Sequence, residues 1–562
     1  MIRTIGIFLL LCVASLPIQA ETMPNLLRAV DQERMNHWVD SVFDSMSFEE
    51  RVGQLFMVVA DPKSDTRNMN KIMRYVNEIK AGGILFSKGD PLTQAEVTNR
   101  VQKASRVPML VALDGEWGLS MRLNGTTRFP KNMMLGAIED NALMEAYGEE
   151  VARQCREMGI HINFAPVIDV NSNVNNPVIG LRSYGENPAA VAEKGIAYAR
   201  GLEHGGIISV SKHFPGHGDT SEDSHKTLPV IRHDWDRLDS VELFPFKQYI
   251  AEGFSGIMTG HLYVTALDKG RTPTSFSKAT VTDLLRDTYD FQGLCFTDAL
   301  QMKGATTKRR DNPSVKALLA GNDVVLAPAA PINDFTAVKE AIEDGTLSLE
   351  EMESKCLKIL RYKYVAGLNE YKPIDTQGLS QRLNSPHAAW MAARLNAEAI
   401  TLLKNEDDIV PLKGLGKKKI ALLNIGGSRD SEFEKMLCNY DSIACFEILR
   451  SSTAAQIQRV YNRLQKYDVI ICGVHTVRIP ESYALRKLAE NKELIYAFFT
   501  LPYACKDYKR SIGHAKAVVM AYEDTPLAQE YAAQTIYGGI GAKGKLPVSI
   551  PNLYYAGTGI FT

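Results

Sequence analysis

The sequence is short of net charge. Its 562 residues carry 64 Lys and Arg against 65 Asp and Glu, a formal net charge of −1. Without a basic surplus there is no electrostatic footprint for nucleic acid or for an anionic membrane surface. The balance points to a small or neutral partner. Cysteine is scarce as well. Beyond Cys12 there are seven, Cys155, Cys295, Cys356, Cys438, Cys445, Cys472 and Cys505, odd in number, scattered and mostly set in apolar runs. A disulfide scaffold or a structural zinc site needs tighter spacing, and only Cys438 and Cys445 are near enough along the chain to suggest a pair. Internal repeats and low-complexity tracts are missing, which excludes solenoids and arrays. With 45% apolar and 23% charged residues the composition is that of globular domains, and the length calls for two or three of them.

Long apolar runs are absent outside the first 20 residues. There Arg3 precedes an apolar stretch from Ile5 to Ala14, followed by Pro17 and a small residue, Ala20, before Glu21. That layout predicts a secretory signal peptide over residues 1–20, cut after Ala20. The run falls short of the ~20 residues that a spanning helix needs. Cys12 offers lipid attachment as the alternative, although Leu10 and Leu11 before it are bulky. Export with few disulfides suits a bacterial periplasm, and no membrane span is expected in the rest of the chain.

What the sequence has is alternation. Eight short apolar runs, at residues 52–59, 83–86, 109–114, 162–166, 209–214, 256–262, 293–298 and 323–327, are separated by helix-like stretches. Ser47-Phe48-Glu49-Glu50 has the form of a capping box that starts a helix ahead of the first run. Continuous apolar runs are the mark of strands buried on both faces, and strand–helix alternation argues a parallel sheet. The expected fold over residues 21–368 is a (β/α)8 TIM-type barrel. Residues 369–386, with Gly, Pro, Gln and Asn and weak periodicity, read as a linker. Four further runs, at residues 419–425, 469–474, 494–500 and 517–522, predict an α/β sandwich with an open, doubly wound sheet over 387–562.

A barrel enzyme carries its chemistry at the C-terminal ends of its strands. The third run ends in Asp114, the fourth is followed by Asp169, the fifth ends in Lys212-His213, the sixth approaches His261, and the seventh ends in Asp298. The loop after the fifth run, Lys212-His213-Phe214-Pro215-Gly216-His217-Gly218-Asp219-Thr220-Ser221-Glu222-Asp223-Ser224-His225, crowds imidazoles and carboxylates into one stretch. In Asp223-Ser224-His225 a carboxylate two residues from an imidazole can fix the ring's tautomer and stabilise its charged form. Such a pair can give or take a proton near neutral pH.

The segment from Lys212 to His225 resembles the signature of family 3 glycoside hydrolases, and most closely their bacterial β-N-acetylglucosaminidase branch. Further pieces resemble the family in order: Ala112-Leu113-Asp114-Gly115-Glu116, Asn163-Phe164-Ala165-Pro166-Val167-Ile168-Asp169, Arg182-Ser183-Tyr184-Gly185, Phe296-Thr297-Asp298-Ala299-Leu300 and, far downstream, Gly541-Ala542-Lys543-Gly544-Lys545-Leu546-Pro547-Val548. The resemblance implies a retaining exo-β-N-acetylglucosaminidase acting on cell-wall fragments, with a carbohydrate as partner and with no cofactor, metal or nucleic acid. It implies Asp298 as nucleophile, His225 as general acid/base and Asp223 as its orienting partner. Asp114, Arg122, Arg182, Lys212 and His213 would bind the sugar's hydroxyl and acetamido groups. Oligomeric state leaves no mark in the sequence.

The sequence also departs from the family pattern. Trp117 follows the first sugar motif and could stack on a sugar or pack in the core, and Ala299 stands where a second Asp is usual. The alternatives are a β-glucosidase or xylosidase of the same family, a metal-dependent barrel hydrolase using His213 and His261, and a non-catalytic sugar-binding protein. The metal reading lacks the His-x-His pair expected at a first strand, where this chain has Val58-Val59-Ala60-Asp61. The binding-protein reading expects loss of Asp298 or His225, and both are present.

Overall fold

Each apolar run of the first half becomes a strand: β1 (Phe56–Ala60), β2 (Gly83–Phe86), β3 (Leu110–Leu113), β4 (Ile162–Asn163), β5 (Ile208–Phe214), β6 (Gly256–Thr259), β7 (Leu294–Thr297) and β8 (Val325–Leu326). All neighbours pair in parallel and in chain order, with β8 beside β1. A bridge from Phe296 to Val324, at the approach to β8, closes the ring. The computed structural model describes residues 23–222, 227–305, 311–476, 478–479 and 481–562; the expected signal segment, Asp223 and His225 lie outside them.

Strands β2, β3, β5 and β6 are buried along their whole length, which is why they read as unbroken apolar runs. The first run is longer than its strand because Val52 and Gly53 close the preceding helix, Phe48–Gly53. The capping box there is real: the Ser47 side chain accepts from the Glu50 amide, and Glu50 accepts from the Ser47 amide at 2.8 Å.

The second domain holds six strands rather than the four expected. They are β9 (Thr401–Asn405), β10 (Ile420–Ile425), β11 (Ile443–Ile448), β12 (Val469–Val474), β13 (Glu493–Phe498) and β14 (Ala517–Met520), in the order β9-β14-β13-β12-β10-β11. The two extra strands are the edges. β11 is mostly half-buried and carries Glu447, and β9 runs antiparallel and ends in Lys404 and Asn405. An edge strand needs no continuous apolar run, so hydropathy passes over it. The seven described cysteines are free thiols, the suggested pair Cys438 and Cys445 included.

The segment read as a linker is strapped to the barrel. The Asn99 side chain accepts from the Ile374 amide (2.8 Å) and donates to its carbonyl (2.9 Å), and the short helix Leu379–Leu383 buries both its leucines. These anchors are mainly backbone contacts, which leave no periodicity to read. Among the described residues no helix is long and apolar enough to cross a membrane.

The two domains meet beside the mouth of the barrel. The Pro547 carbonyl accepts from the Glu186 amide, and Glu186 in turn accepts from the Ser549 amide (2.8 Å) and hydroxyl. Gly136 and Gly185 make this fit possible: a Cβ on Gly136 would lie 3.2 Å from Pro547 Cβ and on top of the Tyr184 carbonyl, and one on Gly185 would lie 2.6 Å from the Pro547 carbonyl. Nearby, Glu523 accepts from the Lys131 amide and from Arg128 at 3.1 Å.

Candidate active site

The turn after β3 is clamped so that two carboxylates point inward. The Gly115 amide donates to Asn163 Oδ1 (2.9 Å), while Asn163 Nδ2 and the Tyr198 hydroxyl donate to the Gly115 carbonyl. Asp114 and Glu116 on either side then face the open end of the barrel. Between them lies the Lys212 ammonium from the end of β5, 2.9 Å from Asp114 Oδ1 and 2.9 Å from Glu116 Oε1. Arg122 donates to Asp114 Oδ2 at 2.6 Å. Arg182 grips Glu116 with two bonds, 2.6 and 2.9 Å. Five charged side chains therefore form one chain, Arg122–Asp114–Lys212–Glu116–Arg182.

Burial alone would raise both carboxyls, but the facing cations outweigh it. Lys212 and Arg122 hold Asp114 far below the usual carboxylate range, and Arg182 and Lys212 hold Glu116 at about 2. Glu116, which sequence reasoning left without a role, is fully buried and is the acceptor that fixes Arg182. A signal for it exists in the sequence: Glu116 stands two residues beyond Asp114 at the same strand end, where a barrel enzyme places its working side chains.

Asp169 organises the neighbouring loop. Its carboxylate accepts from His213 Nδ1 (2.7 Å), from the His213 amide and from the His217 amide (2.7 Å). Burial is again opposed by the two imidazoles, and the carboxyl lies below its ordinary value. Asn176 Nδ2 donates to the carbonyls of His217 and Gly218, both at 2.9 Å. Burial, with His213 close by, pushes the His217 ring down to about 4. Asp219 and His233, which flank the stretch containing Asp223 and His225, are hydrogen-bonded to each other.

Asp298 follows β7. Its amide donates to the Thr259 carbonyl (2.8 Å), and its Oδ1 accepts from the Ala299 amide (2.7 Å). Burial would raise this carboxyl; His213 and His261, together with the Ala299 amide, hold it below the usual range. Asp298 thus stays ionised without a direct ion-pair partner among the described residues. Asp114, Arg122, Arg182, Lys212, His213 and Asp298 all line one cavity of about 550 Å³, as do Glu116 and His217. Six of the eight expected site residues meet there, and the other two, Asp223 and His225, are not described.

Trp117 is not packed into the core. It is half-buried outside the cavity, with the Lys131 ammonium 5.5 Å above its ring. The histidines of the metal reading are also committed elsewhere. His261 uses Nδ1 on the Ser275 hydroxyl (2.7 Å) and Nε2 on the Ala299 carbonyl (3.2 Å). His213 turns Nε2 toward the Arg182 guanidinium at 3.4 Å, so a cation already holds the place a metal would take.

A (β/α)8 barrel joined to an α/β sandwich, with this acidic and basic cluster at its mouth, matches a known family. The family model described as the glycosyl hydrolase family 3 N-terminal domain matches residues 47–362, and the chain belongs to that family of glycosidases. Within it, the chain is 33% identical over 368 residues to the β-hexosaminidase A of Pseudoalteromonas piscicida; the match covers 59% of this chain and 60% of that relative, under two thirds of its length. It is 36% identical over 285 residues to the β-hexosaminidase of Thioalkalivibrio sulfidiphilus, covering 48% of this chain and 80% of the relative. The solved structure of a family 3 β-N-acetylglucosaminidase from Paenibacillus sp. str. FPU-7 matches with a TM-score of 0.75 at 27% identity, over 90% of this chain and 99% of that one. The likeness to the β-N-acetylglucosaminidase branch therefore extends across both domains.

Proposed function

We propose that the protein is a retaining exo-β-N-acetylglucosaminidase that removes terminal N-acetylglucosamine from peptidoglycan-derived fragments. The observation that carries this reading is an ionised, half-buried Asp298 opening onto the same cavity as the Arg122–Asp114–Lys212–Glu116–Arg182 chain. Relatives named β-hexosaminidase and β-N-acetylglucosaminidase support the choice of sugar.

In the first step the Asp298 carboxylate attacks the anomeric carbon, and the glycosidic C–O bond breaks. His225, oriented by Asp223, gives its proton to the departing oxygen. The product of this step is a glycosyl ester on Asp298. In the second step His225 takes a proton from water, the resulting hydroxide attacks the same carbon, and the ester opens to return Asp298 as carboxylate. Two inversions retain the configuration. Asp114 accepts from sugar hydroxyls, Arg182 and Lys212 donate to hydroxyls and to the acetyl carbonyl, and His213, held by Asp169, lines the same sugar subsite. The segment at residues 1–20 is proposed to export the chain to the periplasm, where N-acetylglucosamine β-1,4-linked to muramic acid is met.

The test compares 4-nitrophenyl glycosides on mature protein beginning near Glu21. Catalytic efficiency on the β-N-acetylglucosaminide should exceed that on the β-glucoside by at least ~100-fold, the order lost when a site's polar anchor has no partner. Equal rates, or faster release of glucose, would move the protein to the β-glucosidase branch.

A further inference from the structure

Among the described residues the charges lining the cavity do not cancel. The described carboxylates there are Asp114, Glu116 and Asp298, and the described fixed cations are Lys88, Arg122, Arg182 and Lys212. The last three belong to the ionic chain described above. Lys88 is the exception: among the described residues it has no ion-pair or hydrogen-bond partner, and its side chain is exposed at the cavity wall.

The backbone that carries Lys88 is fixed from both sides. The Gly89 amide donates to the Arg122 carbonyl (3.0 Å), and the Asn124 amide donates to the Gly89 carbonyl (2.9 Å). On the other flank the Ser87 hydroxyl donates to Asp61, and Gly89 lies so close to Pro62 that no side chain would fit there. A long cationic side chain is thus held on the cavity wall beside the segment that supplies Arg122. A solvated lysine on a free loop would need no such clamp.

The terminal sugar of the proposed substrate is uncharged and faces groups whose charges are already matched. An unmatched cation on the wall is then available to the other half of the substrate. We infer that Lys88 reads the leaving group and favours glycosides whose aglycone bears a carboxylate. The inference rests on the proposed glycosidase reading but not on the identity of the sugar. One exposed ion pair in a water-like dielectric predicts a preference of about fivefold, screened out as the Debye length falls to ~3 Å at 1 M salt.

The experiment uses paired nitrophenyl glycosides with the same sugar, one with a carboxylate on the phenyl ring and one without. The parent protein should favour the carboxylated member about fivefold in kcat/KM, after correction for leaving-group acidity with the Lys88→Gln protein as reference. Against the same reference the preference should invert in Lys88→Glu, and in the parent it should collapse in 1 M salt. The sugar is whichever the enzyme cleaves, so a wrong sugar assignment leaves this ratio readable. If neither pair is cleaved, calorimetric binding of both glycosides to the Asp298→Asn protein reads the same ratio. An identical ratio in the parent and Lys88→Gln proteins overturns the inference. So does a Lys88-dependent acceleration of both glycosides by inorganic phosphate with no preference between them, which would make the anion an acceptor rather than part of the leaving group.

Discussion

The cavity at the mouth of the barrel and two sites at its base treat buried charge differently. At the C-terminal mouth the carboxylates of the cavity and its neighbouring loop face cations or imidazoles, and Asp114, Glu116, Asp169 and Asp298 are all held below their ordinary values. At the N-terminal base Asp323 is also ion-paired, to Arg286 and Lys358, but two other groups are buried without a counter-charge. Glu203 accepts from the Ser209 hydroxyl (2.7 Å) and the Ser255 amide (2.8 Å), and burial pushes it up to about 7. Lys363 donates to Gln54 Oε1 (2.6 Å) and the Pro108 carbonyl (2.7 Å), and burial pushes it down to about 7. Neutralised groups suit an end that only has to hold strands together. Fixed charges suit an end that has to act on a substrate, as the division of labour in barrel enzymes leads one to expect. The cavity keeps its charges by arranging partners, whereas Glu203 and Lys363 at the base meet burial by moving toward their neutral forms.

Four variants can break or sharpen this contrast. Asp298→Ala should have the largest effect, lowering turnover by several orders of magnitude with no loss of thermal stability, because no ion pair is broken. Steady-state rates together with a melting curve check it, and a fluorinated sugar inactivator should label Asp298 in the parent.

Glu116→Gln comes next. Removing one partner of a buried pair leaves the others uncompensated, at a cost of about 3–5 kcal/mol. Catalytic efficiency should fall on the order of 100-fold, with KM rising as Arg182 loses its anchor. A Glu116→Gln protein with unchanged KM would show that Arg182 is positioned by other contacts.

At the base, Glu203→Gln should act on stability alone. The folded carboxyl binds its proton more tightly than the unfolded one, whose value is near 4.5. Its stabilising contribution is therefore complete below pH 4.5, declines as pH rises toward 7, and is gone above. The glutamine variant should lack this decline and be more stable than the parent at pH 8 by about 2 kcal/mol. Urea midpoints across pH read it.

Lys363→Met should have the smallest effect and the opposite sign. The folded amine titrates near 7 and the unfolded one near 10.5, so the parent gains stability from this group as pH rises between those values. The methionine variant should lack that gain and be about 1 kcal/mol less stable at pH 9, where Gln54 and Pro108 lose a donor. A pH-independent difference would mean that packing, not ionisation, decides the site.

The sequence made the barrel legible for the reason that makes barrels stable. Strands covered on both faces are apolar without interruption, and all eight could be found from that alone. The edges β9 and β11 escaped because an edge strand is covered on one side only. The site was legible where residue type announces chemistry, as with Lys212, His213 and Asp298 at strand ends. It was not legible where the chemistry lies in a partnership. Nothing about Glu116 alone shows that it fixes both Arg182 and Lys212, and nothing about Asp169 alone shows that it binds the His213 ring and two amides. Trp117 was misleading in the other direction, since an aromatic beside a sugar motif suggests stacking when its ring lies under Lys131.

The contact between Glu186 and Ser549 has a consequence for how the protein is made. The two residues are 363 positions apart, and Glu186 follows directly on the Arg182-to-Gly185 stretch. At about 5–20 residues per second, a ribosome needs roughly 20–70 s to reach the second partner after completing the first. Within that interval the remaining barrel strands are made and can assemble, but the loop bearing Arg182 has no buttress from Pro547 and Ser549. A nascent chain is therefore expected to gain its shape before it gains its grip on sugar, so that hydrolysis begins only after synthesis of the barrel is long past.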